Sequence, residues 1–548
     1  MKKLSKQLLC VLLSLVLLIC SAALAFAAES EESKTPIVLI PGFGQSETKV
    51  YDGDEYLGTI NSFELPGLNV ENILKQVLAP GLASIVTRSD LMLSKAVKGL
   101  VDDLFKAFKT NPDGTPVYER IVTPYDAAYN DLPPEKQTEV QHHIAIHGLD
   151  NYNDVRYYYS YDSFGSIKQV SDGLHRFIED VVLAQTGAEK VMLVPVSQGG
   201  TVLTQYLADY PEDIKYIEKI VAVIPAFDGA QILGDVMTDN VKIYDVNYDH
   251  ETVLPALLSG DLGYQVSLAL RAAFPSRVTE KLLREALEEV RQMLVVNSTM
   301  MWALCPAADY AVAKDKYLGD EAHAKVRAEC DAYDAARKAL PGTLQKLLAD
   351  GMPIHIVSCY GVGNIYPELF GSGNINSDEL LTPYSSGLGA TYANIGETLG
   401  EGYVAKGTVC SDPDHNHLSP DGMIDASTCA LPENTWFFKG VGHTYMNFRE
   451  DIKNFAAKLI LEDVKDIYSL PPYTQFNDPS LEVAESNVVG AYVYHYDKNG
   501  KFLYSEPAPA ESNASPFWKG LAGIVNKLYR SFDNIKAALH LDKLKLPA

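Results

Sequence analysis

The stretch VMLVPVSQGGTVLTQYL, residues 191–207, places a serine between an apolar run and a segment with helical spacing. A tight strand–turn–helix element exposes such a hydroxyl above the carboxyl edge of a parallel sheet, where open α/β folds bind ligands. Gly199 supplies the small residue expected two positions after the serine, whereas Pro195 stands two positions before it. We therefore predict that Ser197 is a nucleophile. The alternative is an ordinary turn in which Ser197 caps the helix.

A nucleophilic serine needs donors for the oxyanion that forms on the attacked carbonyl group. The first apolar run ends in IVLIPGFGQS, a glycine-rich loop after an early strand. In hydrolases with a nucleophile turn, one oxyanion donor comes from such a loop and the other from the residue after the nucleophile. These donors are expected to be the backbone N–H groups of Phe43 and Gln198.

The serine also needs a base and an acid that orients it, expected in the chain order Ser, Asp or Glu, His. Residues 416–446 contain an apolar WFFKGV strand followed by His443, which we predict to be the base. Asp421 lies in a D-G-M-I turn 22 residues before this histidine and is the predicted acid. Asp425, four residues further on, is the rival.

Other segments predict how these residues are positioned. Apolar runs at 37–40, 120–125, 155–161, 190–196, 219–224 and 354–360 alternate with segments of helical spacing. That alternation is typical of a parallel sheet with helices on both faces, and hence of an α/β protein. Helical, apolar insertions at about 58–118 and 230–350 are expected to form a lid and an acyl-chain pocket, or simply to pack on the sheet.

The two ends of the chain have compositions of their own. Residues 1–27 combine a basic start, an apolar stretch and an A-x-A ending, which predict a cleaved signal peptide and a secreted protein. The hydrolase domain is expected over 28–465. Residues 466–548 are expected to form a C-terminal extension: a β-hairpin that turns at Asn499-Gly500, then an amphipathic helix from Ser515 that packs on the protein or binds lipid.

Charge excludes one class of partner. The 548 residues carry a formal net charge of −25, and loss of residues 1–27 removes three lysines and no acid, giving −28. Such a surface repels nucleic acids and anionic lipid head groups, so contact with a membrane or lipid interface is expected to be transient at most. The sequence has no phosphate-binding glycine motif, and no cofactor is predicted.

The loop SDPDHNHLSPD, residues 411–421, carries Asp, Asn and His side chains that could ligate a metal ion. An EF-hand loop counted from Asp412 needs glycine at its sixth position and glutamate at its twelfth, and His417 and Met423 stand there. We therefore predict a polar loop and no metal. Cys410 and Cys429 bracket this loop, and the sequence is compatible with a disulfide between them or with two free thiols. Five cysteines follow residue 27, and an odd number leaves at least one unpaired.

Taken together, IPGFG (40–44), the Ser197 turn, SCYGVG (358–363), DGMI (421–424) and GVGHTYM (440–446) resemble, in this order, the lecithin:cholesterol acyltransferase-like lipases of the α/β-hydrolase superfamily. The resemblance covers roughly residues 35–460, as short islands. It implies an α/β-hydrolase fold, lid insertions and activity on the acyl esters of lipids.

The resulting hypothesis is a secreted serine hydrolase that cleaves carboxylic esters through an acyl-enzyme, with Ser197, His443 and Asp421 as its triad. Two alternatives stay open at this point. An acyltransferase of the same fold would pass the acyl group to an alcohol instead of water, and a binding protein on a hydrolase scaffold would carry out no reaction.

Overall fold

The structure is a computed structural model. It describes residues 34–60, 91–146, 155–242, 276–364, 370–443 and 449–478, the single residues 80, 89 and 149, and the backbone of three strands between 485 and 507. The predicted signal peptide, the predicted helix from Ser515 and the Asn499-Gly500 turn lie outside the described residues.

The strands of the described residues are β1 Ile37–Ile40, β2 Thr48–Asp52, β3 Glu55–Thr59, β4 Glu119–Val122, β5 Arg156–Tyr158, β6 Val191–Pro195, β7 Ile217–Val223, β8 Ile354–Tyr360, β9 Thr391–Tyr392, β10 Ile424–Asp425, β11 Thr435–Lys439, β12 Phe476–Asn477, β13 Glu485–Val489, β14 Tyr492–Tyr496 and β15 Phe502–Pro507.

The helices of the described residues are α1 Leu91–Leu104, α2 Pro134–Val140, α3 Ile167–Arg176, α4 Gly199–Asp209, α5 Gln231–Met237, α6 Ser276–Arg291, α7 Thr299–Ala303, α8 Ala307–Tyr317, α9 Ala324–Ala349, α10 Pro383–Ser386 and α11 Glu450–Leu461. Helix α3 continues through a π-helical turn, Phe177–Leu183, into a last helical turn, Ala184–Thr186, and α6 continues through a π-helical turn, Gln292–Val296. Short 3₁₀ segments lie at Lys106–Phe108, Tyr129–Asp131, Pro211–Tyr216, Ala426–Thr428 and Pro432–Asn434.

Seven parallel strands form the central sheet in the order β12-β11-β8-β7-β6-β1-β5. Every residue of β1, β6 and β8 is buried, as expected for strands covered on both faces. One face packs against α3, α4 and α9, and the other packs against α11. The predicted α/β fold, a parallel sheet with helices on both faces, is therefore confirmed.

One of the predicted strands belongs to a different sheet. Strand β4, from the run at 120–125, pairs antiparallel with β2, and β3 completes a separate three-stranded sheet. Its residues alternate between exposed and half-buried, so it has only one face on the protein. An antiparallel strand at a surface needs only that one apolar face, which a short sequence does not distinguish from a buried strand.

Helices of the two insertions pack on each other. Lys98 of α1 donates to Glu289 of α6 at 2.6 Å, and Ser94 donates to Glu285 one turn away. Helix α9, at the end of the second insertion, instead contributes Leu340 and Leu344 to the core on one face of the central sheet. Helix α9 therefore packs on the sheet, while residues 243–275 of the same insertion lie outside the described residues.

The C-terminal region contains a small antiparallel sheet. Strands β14 and β15, on either side of the predicted turn, pair antiparallel, and β13 adds a third strand that the sequence did not predict. Among the helices of the described residues, none is both long and apolar enough to cross a bilayer.

Candidate active site

Ser197 stands in a strained turn between a strand and a helix. Strand β6 ends at Pro195, α4 begins at Gly199, and Ser197 between them has φ +51°. Non-glycine residues adopt this left-handed conformation at an energetic cost, and such outliers gather at functional sites. The turn is fixed by the Ser197 carbonyl, which accepts the N–H groups of Gly200 at 2.9 Å and Ala226 at 2.8 Å.

The turn leaves no space for larger residues beside the serine. A Cβ atom on Gly199 would lie 2.2 Å from the carbonyl oxygen of Ile40, so α4 begins directly against β1. A Cβ atom on Gly42 would lie 3.0 Å from the Ser197 Cβ and 3.4 Å from its Oγ. The glycine-rich loop after β1 therefore passes directly beside the hydroxyl group.

His443 reaches Ser197 from a loop after a strand that is not adjacent to β6. It follows β11, which is separated from β6 by β8 and β7, and its Nε2 lies 2.8 Å from Oγ of Ser197. The imidazole is 10% exposed. The structure thus brings together two of the three residues that the sequence predicted as a triad.

The acid beside this imidazole is Asp378, which the sequence analysis missed. Its Oδ2 lies 2.8 Å from Nδ1 of His443, and its carbonyl oxygen accepts the His443 backbone N–H at 2.5 Å. Its Oδ1 accepts the backbone N–H groups of Leu380 at 3.1 Å and Leu381 at 2.7 Å. The side chain is fully buried, and each of its carboxylate oxygens has a hydrogen-bond partner.

The prediction that Asp421 orients the histidine is corrected by this geometry. The Asp421 carboxylate accepts from Lys439 at 3.0 Å, from the Tyr360 hydroxyl at 3.2 Å and from Ser419 at 2.6 Å. Burial alone would raise the pKa of Asp421, but the hydrogen bonds from Ser419 and Lys439 outweigh burial and lower it. The residue closes its own turn and forms an ion pair with the end of β11.

The rival acid, Asp425, is also committed elsewhere. It is fully buried in β10, where Oδ2 accepts from the Tyr403 hydroxyl at 2.9 Å and from the Lys406 N–H at 3.1 Å. Its Oδ1 accepts the backbone N–H and the hydroxyl of Ser427. Neither predicted acid is within hydrogen-bond distance of His443 in the described structure.

The two predicted oxyanion donors flank the serine. Phe43 lies in the loop that passes beside Ser197, and this loop is anchored by Gly44, whose N–H donates to Oγ of Ser163 at 3.0 Å. Gln198 follows the serine and directly precedes α4, the end of the helix with partial positive charge. Its side chain donates to the Ser163 carbonyl at 3.2 Å. Ser163 therefore joins the two segments that carry the donors.

An apolar cluster borders the site on the side of the insertions. The Phe43 ring packs edge-on against Phe164 at 5.1 Å, and Phe164 packs in the same way against Phe108 from the first insertion. Leu380 and Leu381, two and three residues after Asp378, belong to the same cluster. The surroundings of the glycine-rich loop after β1 are thus aromatic and aliphatic.

The loop at 411–421 contains no disulfide. All five cysteines of the described residues are free, including Cys410 and Cys429. Within the described residues, side chains with metal-ligating atoms converge at two places, Cys410 with His415 and His417, and His175 with Glu179 and Asp213. Neither group includes a residue of the Ser197 site.

Comparison with known proteins adds little to this geometry. No protein-family model matches the chain, and no curated protein matches it. Among the solved structures that match, the crystal structure of the Tle4–Tli4 complex covers 59% of this chain and 75% of its own, at 12% identity and a TM-score of 0.25. A match of that extent carries no argument about activity, and the fold assignment depends on the sheet described above.

Proposed function

We propose that this protein is a serine hydrolase of carboxylic esters. The observation that supports this most directly is the chain of two 2.8 Å contacts, from Oγ of Ser197 to Nε2 of His443 and from Nδ1 of His443 to Oδ2 of Asp378. A hydroxyl, an imidazole and a buried carboxylate in this order form a nucleophile, a base and the group that orients the base.

In the first half of the reaction, Oγ of Ser197 attacks the ester carbonyl while Nε2 of His443 takes its proton. Asp378 holds the Nδ1 proton and stabilises the imidazolium that forms. The negative charge on the former carbonyl oxygen is received by the backbone N–H groups of Phe43 and Gln198. His443 then gives its proton to the alcohol that leaves, and the acyl group stays on Ser197.

In the second half, water attacks the acyl-enzyme. His443 takes a proton from this water, the same oxyanion donors receive the second tetrahedral intermediate, and the proton returns to Ser197 as the carboxylic acid departs. Every step described here uses only groups of this chain, the substrate and water.

We further propose that the acyl group is apolar, as in a lipid. The cluster around Phe43 and Leu380 is built of aromatic and aliphatic side chains and lies next to the oxyanion loop. It includes residues from both insertions, among them Phe108 and Trp302. The resemblance to lecithin:cholesterol acyltransferase-like lipases points to the same class, and residues 1–27 favour export of the enzyme.

The test is labelling with a fluorophosphonate, together with hydrolysis of p-nitrophenyl esters from acetate to palmitate. Wild-type protein is expected to label and to hydrolyse, and Ser197→Ala is expected to lose both. Ser411→Ala, at an exposed serine outside the site, serves as the control and should retain both. Highest activity on long acyl chains supports a lipid substrate, whereas acetate preference contradicts it.

Two outcomes would change the assignment. A folded wild-type protein that neither labels nor hydrolyses any ester would favour the binding-protein alternative. A labelled enzyme that forms a new ester when an alcohol is added, and little free acid, would be an acyltransferase instead of a hydrolase.

A further inference from the structure

A second group of chemically reactive side chains lies in the loop between Cys410 and His417. Within eight residues the loop brings together one thiol and two imidazoles, and one ligand atom of each lies within 4.8 Å of the others. Sγ of Cys410 and Nδ1 of His415 are 3.3 Å apart. The rings of His415 and His417 meet edge-to-face, with their centroids 4.8 Å apart.

The hydrogen bonds around His417 fix which of its nitrogens is available. Gln475 donates its amide N–H groups to the carbonyl oxygens of Pro432 at 2.6 Å and Thr435 at 3.2 Å, so its Oε1 faces the imidazole. This oxygen is 2.9 Å from Nδ1 of His417 and can only accept, which places the proton on Nδ1. Nε2 therefore carries a lone pair.

That lone pair is buried without a partner. His417 is fully buried, and no described residue makes a hydrogen bond to its Nε2. Leaving a buried acceptor without a hydrogen-bond donor is energetically unfavourable. A metal-ligating histidine shows this same arrangement, in which one nitrogen donates to an oxygen of a neighbouring group and the other faces the metal. The backbone of His417 is also left-handed, with φ +58°.

The other two side chains complete a ligand set of soft or borderline character. Nδ1 of His415 accepts the backbone N–H of His417 at 3.3 Å, so this nitrogen carries a lone pair. The Tyr468 hydroxyl lies 2.6 Å from Sγ of Cys410, within reach to donate its proton to the sulfur. A neutral phenol beside the sulfur suits a thiolate ligand, because it can donate to the charge on sulfur.

The remaining cluster of ligand-type residues does not share these properties. His175 has Asp213 2.6 Å from Nδ1 and Glu179 3.4 Å from Nε2, so both of its nitrogens face carboxylates. Asp213 also accepts from the Tyr206 hydroxyl at 3.0 Å. The groups in that cluster satisfy each other, as in an ordinary ion-pair network.

We infer that Cys410, His415 and His417 bind one divalent transition-metal ion of the zinc class. A thiolate and two imidazoles are ligands that Zn²⁺ prefers, whereas Ca²⁺ and Mg²⁺ prefer oxygen. Ligand atoms of a tetrahedral zinc ion are separated by roughly 3.3–3.6 Å, from its usual bond lengths. The 3.3 Å between Sγ and Nδ1 lies at the lower end of this range, and ligand atoms that are up to 4.8 Å apart would move closer by up to about 1.5 Å when the ion binds.

The expected consequence of binding is structural. The loop 410–417 contacts Tyr468 and Gln475, which lie in the segment between α11 and β12 at the edge of the central sheet. A metal ion there would fix this loop against that segment, much as a disulfide would. The thiol gives up its proton to solvent when the metal binds, so affinity falls in acid. Water would hold the fourth position.

Cobalt substitution and zinc titration test this inference on the full chain after treatment with a chelator. One equivalent of Co²⁺ is expected to give the strong visible bands of tetrahedral coordination and a sulfur-to-cobalt charge-transfer band, and Zn²⁺ should displace it. Cys410→Ser should lose the charge-transfer band and weaken Zn²⁺ binding at least about 100-fold. His175→Gln, the matched control in the other cluster, should bind as the wild type does.

A second measurement needs no variant and so does not depend on the variant folding. Cys410 is partly exposed, while the other cysteines of the described residues are buried. Bound Zn²⁺ should therefore protect Cys410 from iodoacetamide, as read by peptide mass spectrometry, and Ca²⁺ should not. Alkylation at an unchanged rate with saturating Zn²⁺, or Zn²⁺ binding that Cys410→Ser leaves intact, would overturn the assignment.

Discussion

Asp378 and His443 are joined at two points, by the 2.8 Å contact between Oδ2 and Nδ1 and by a 2.5 Å hydrogen bond from the His443 N–H to the Asp378 carbonyl. The loop that carries the acid and the loop that carries the imidazole are therefore one unit. Because the carboxylate accepts from Nδ1, the proton stays there and Nε2 remains free to accept from Ser197.

Replacing this acid should remove most of the activity while preserving the fold. In Asp378→Asn, the side-chain oxygen can still accept from Leu380 and Leu381, but the amide group turns toward Nδ1 and favours the wrong imidazole tautomer. We expect kcat to fall by about 10³–10⁴-fold. Esterase kinetics measure the loss, and the thermal midpoint of unfolding shows whether the fold is retained.

Asp421→Asn is the matched comparison. Like Asp378, Asp421 lies between Ser197 and His443 in the sequence, but its carboxylate pairs with Lys439 instead of His443. It should lose the partly exposed ion pair with Lys439, worth about 1 kcal/mol or less, and keep kcat within about threefold of wild type. The reverse ranking of the two variants would return the role of triad acid to Asp421.

The difference between Asp378 and Asp421 shows what the sequence could predict. Ser197 and His443 are marked by local patterns, a strand that runs into a helix and a histidine directly after an apolar strand. The acid is selected by a non-local relationship, because β8 lies beside β11 and so the loop after β8 meets His443. The SCYGVG run indicates β8 in the sequence. An acidic residue in the loop after this strand is the sequence signal that could have identified Asp378. The D-G-M-I pattern around Asp421 reflects a turn that the carboxylate itself stabilises.

Strand order and one-sided burial limited the fold prediction in the same way. Buried strands such as β1, β6 and β8 were predicted because continuous apolar runs of that length are typical of parallel sheets. Strand β4 has a similar composition but lies in the small antiparallel sheet. Which neighbours a strand finds depends on packing across the whole chain, and a short apolar run carries no information about it.

Gly42→Ala should reduce activity more than stability. The new Cβ would lie 3.0 Å from the Ser197 Cβ, so either the serine or the oxyanion loop must shift by a few tenths of an ångström. We expect kcat/KM to fall by about 10–100-fold, since small misplacements at a reacting centre are costly. Gly99→Ala is the control, because its Cβ meets nothing within 4 Å on an exposed face of α1. Equal activity of the two variants would contradict the close approach.

Ser163 is expected to act as a positioning residue for the oxyanion donors. Ser163→Ala removes the acceptor for the Gly44 N–H, one of the hydrogen bonds that hold the loop beside Ser197. Because oxyanion contacts form in the transition state, kcat should fall by about tenfold while KM changes little. Ser160→Ala is the control, since its hydroxyl donates to the Thr123 carbonyl instead. Restoration of kcat in Ser163→Thr would show that the hydroxyl matters, and an equal loss in Ser160→Ala would point to general destabilisation.

Part of the stability that the protein loses in acid should come from His355. This residue is fully buried in β8, where burial, and then the positive charge of Lys219, lower its pKa to about 3. In the unfolded chain the pKa is about 6.5, so between pH 6.5 and 3 the unfolded state holds one proton more than the folded state. The free energy of unfolding must therefore fall as the pH falls through this window, by up to about 1.4 kcal/mol per pH unit from this residue.

His355→Phe, which keeps an aromatic ring beside Trp436, should lose about 2 kcal/mol less than wild type between pH 7 and pH 4.5. Urea unfolding at the two pH values measures this difference, and identical pH dependence of the two proteins would show that folding does not lower the pKa of His355.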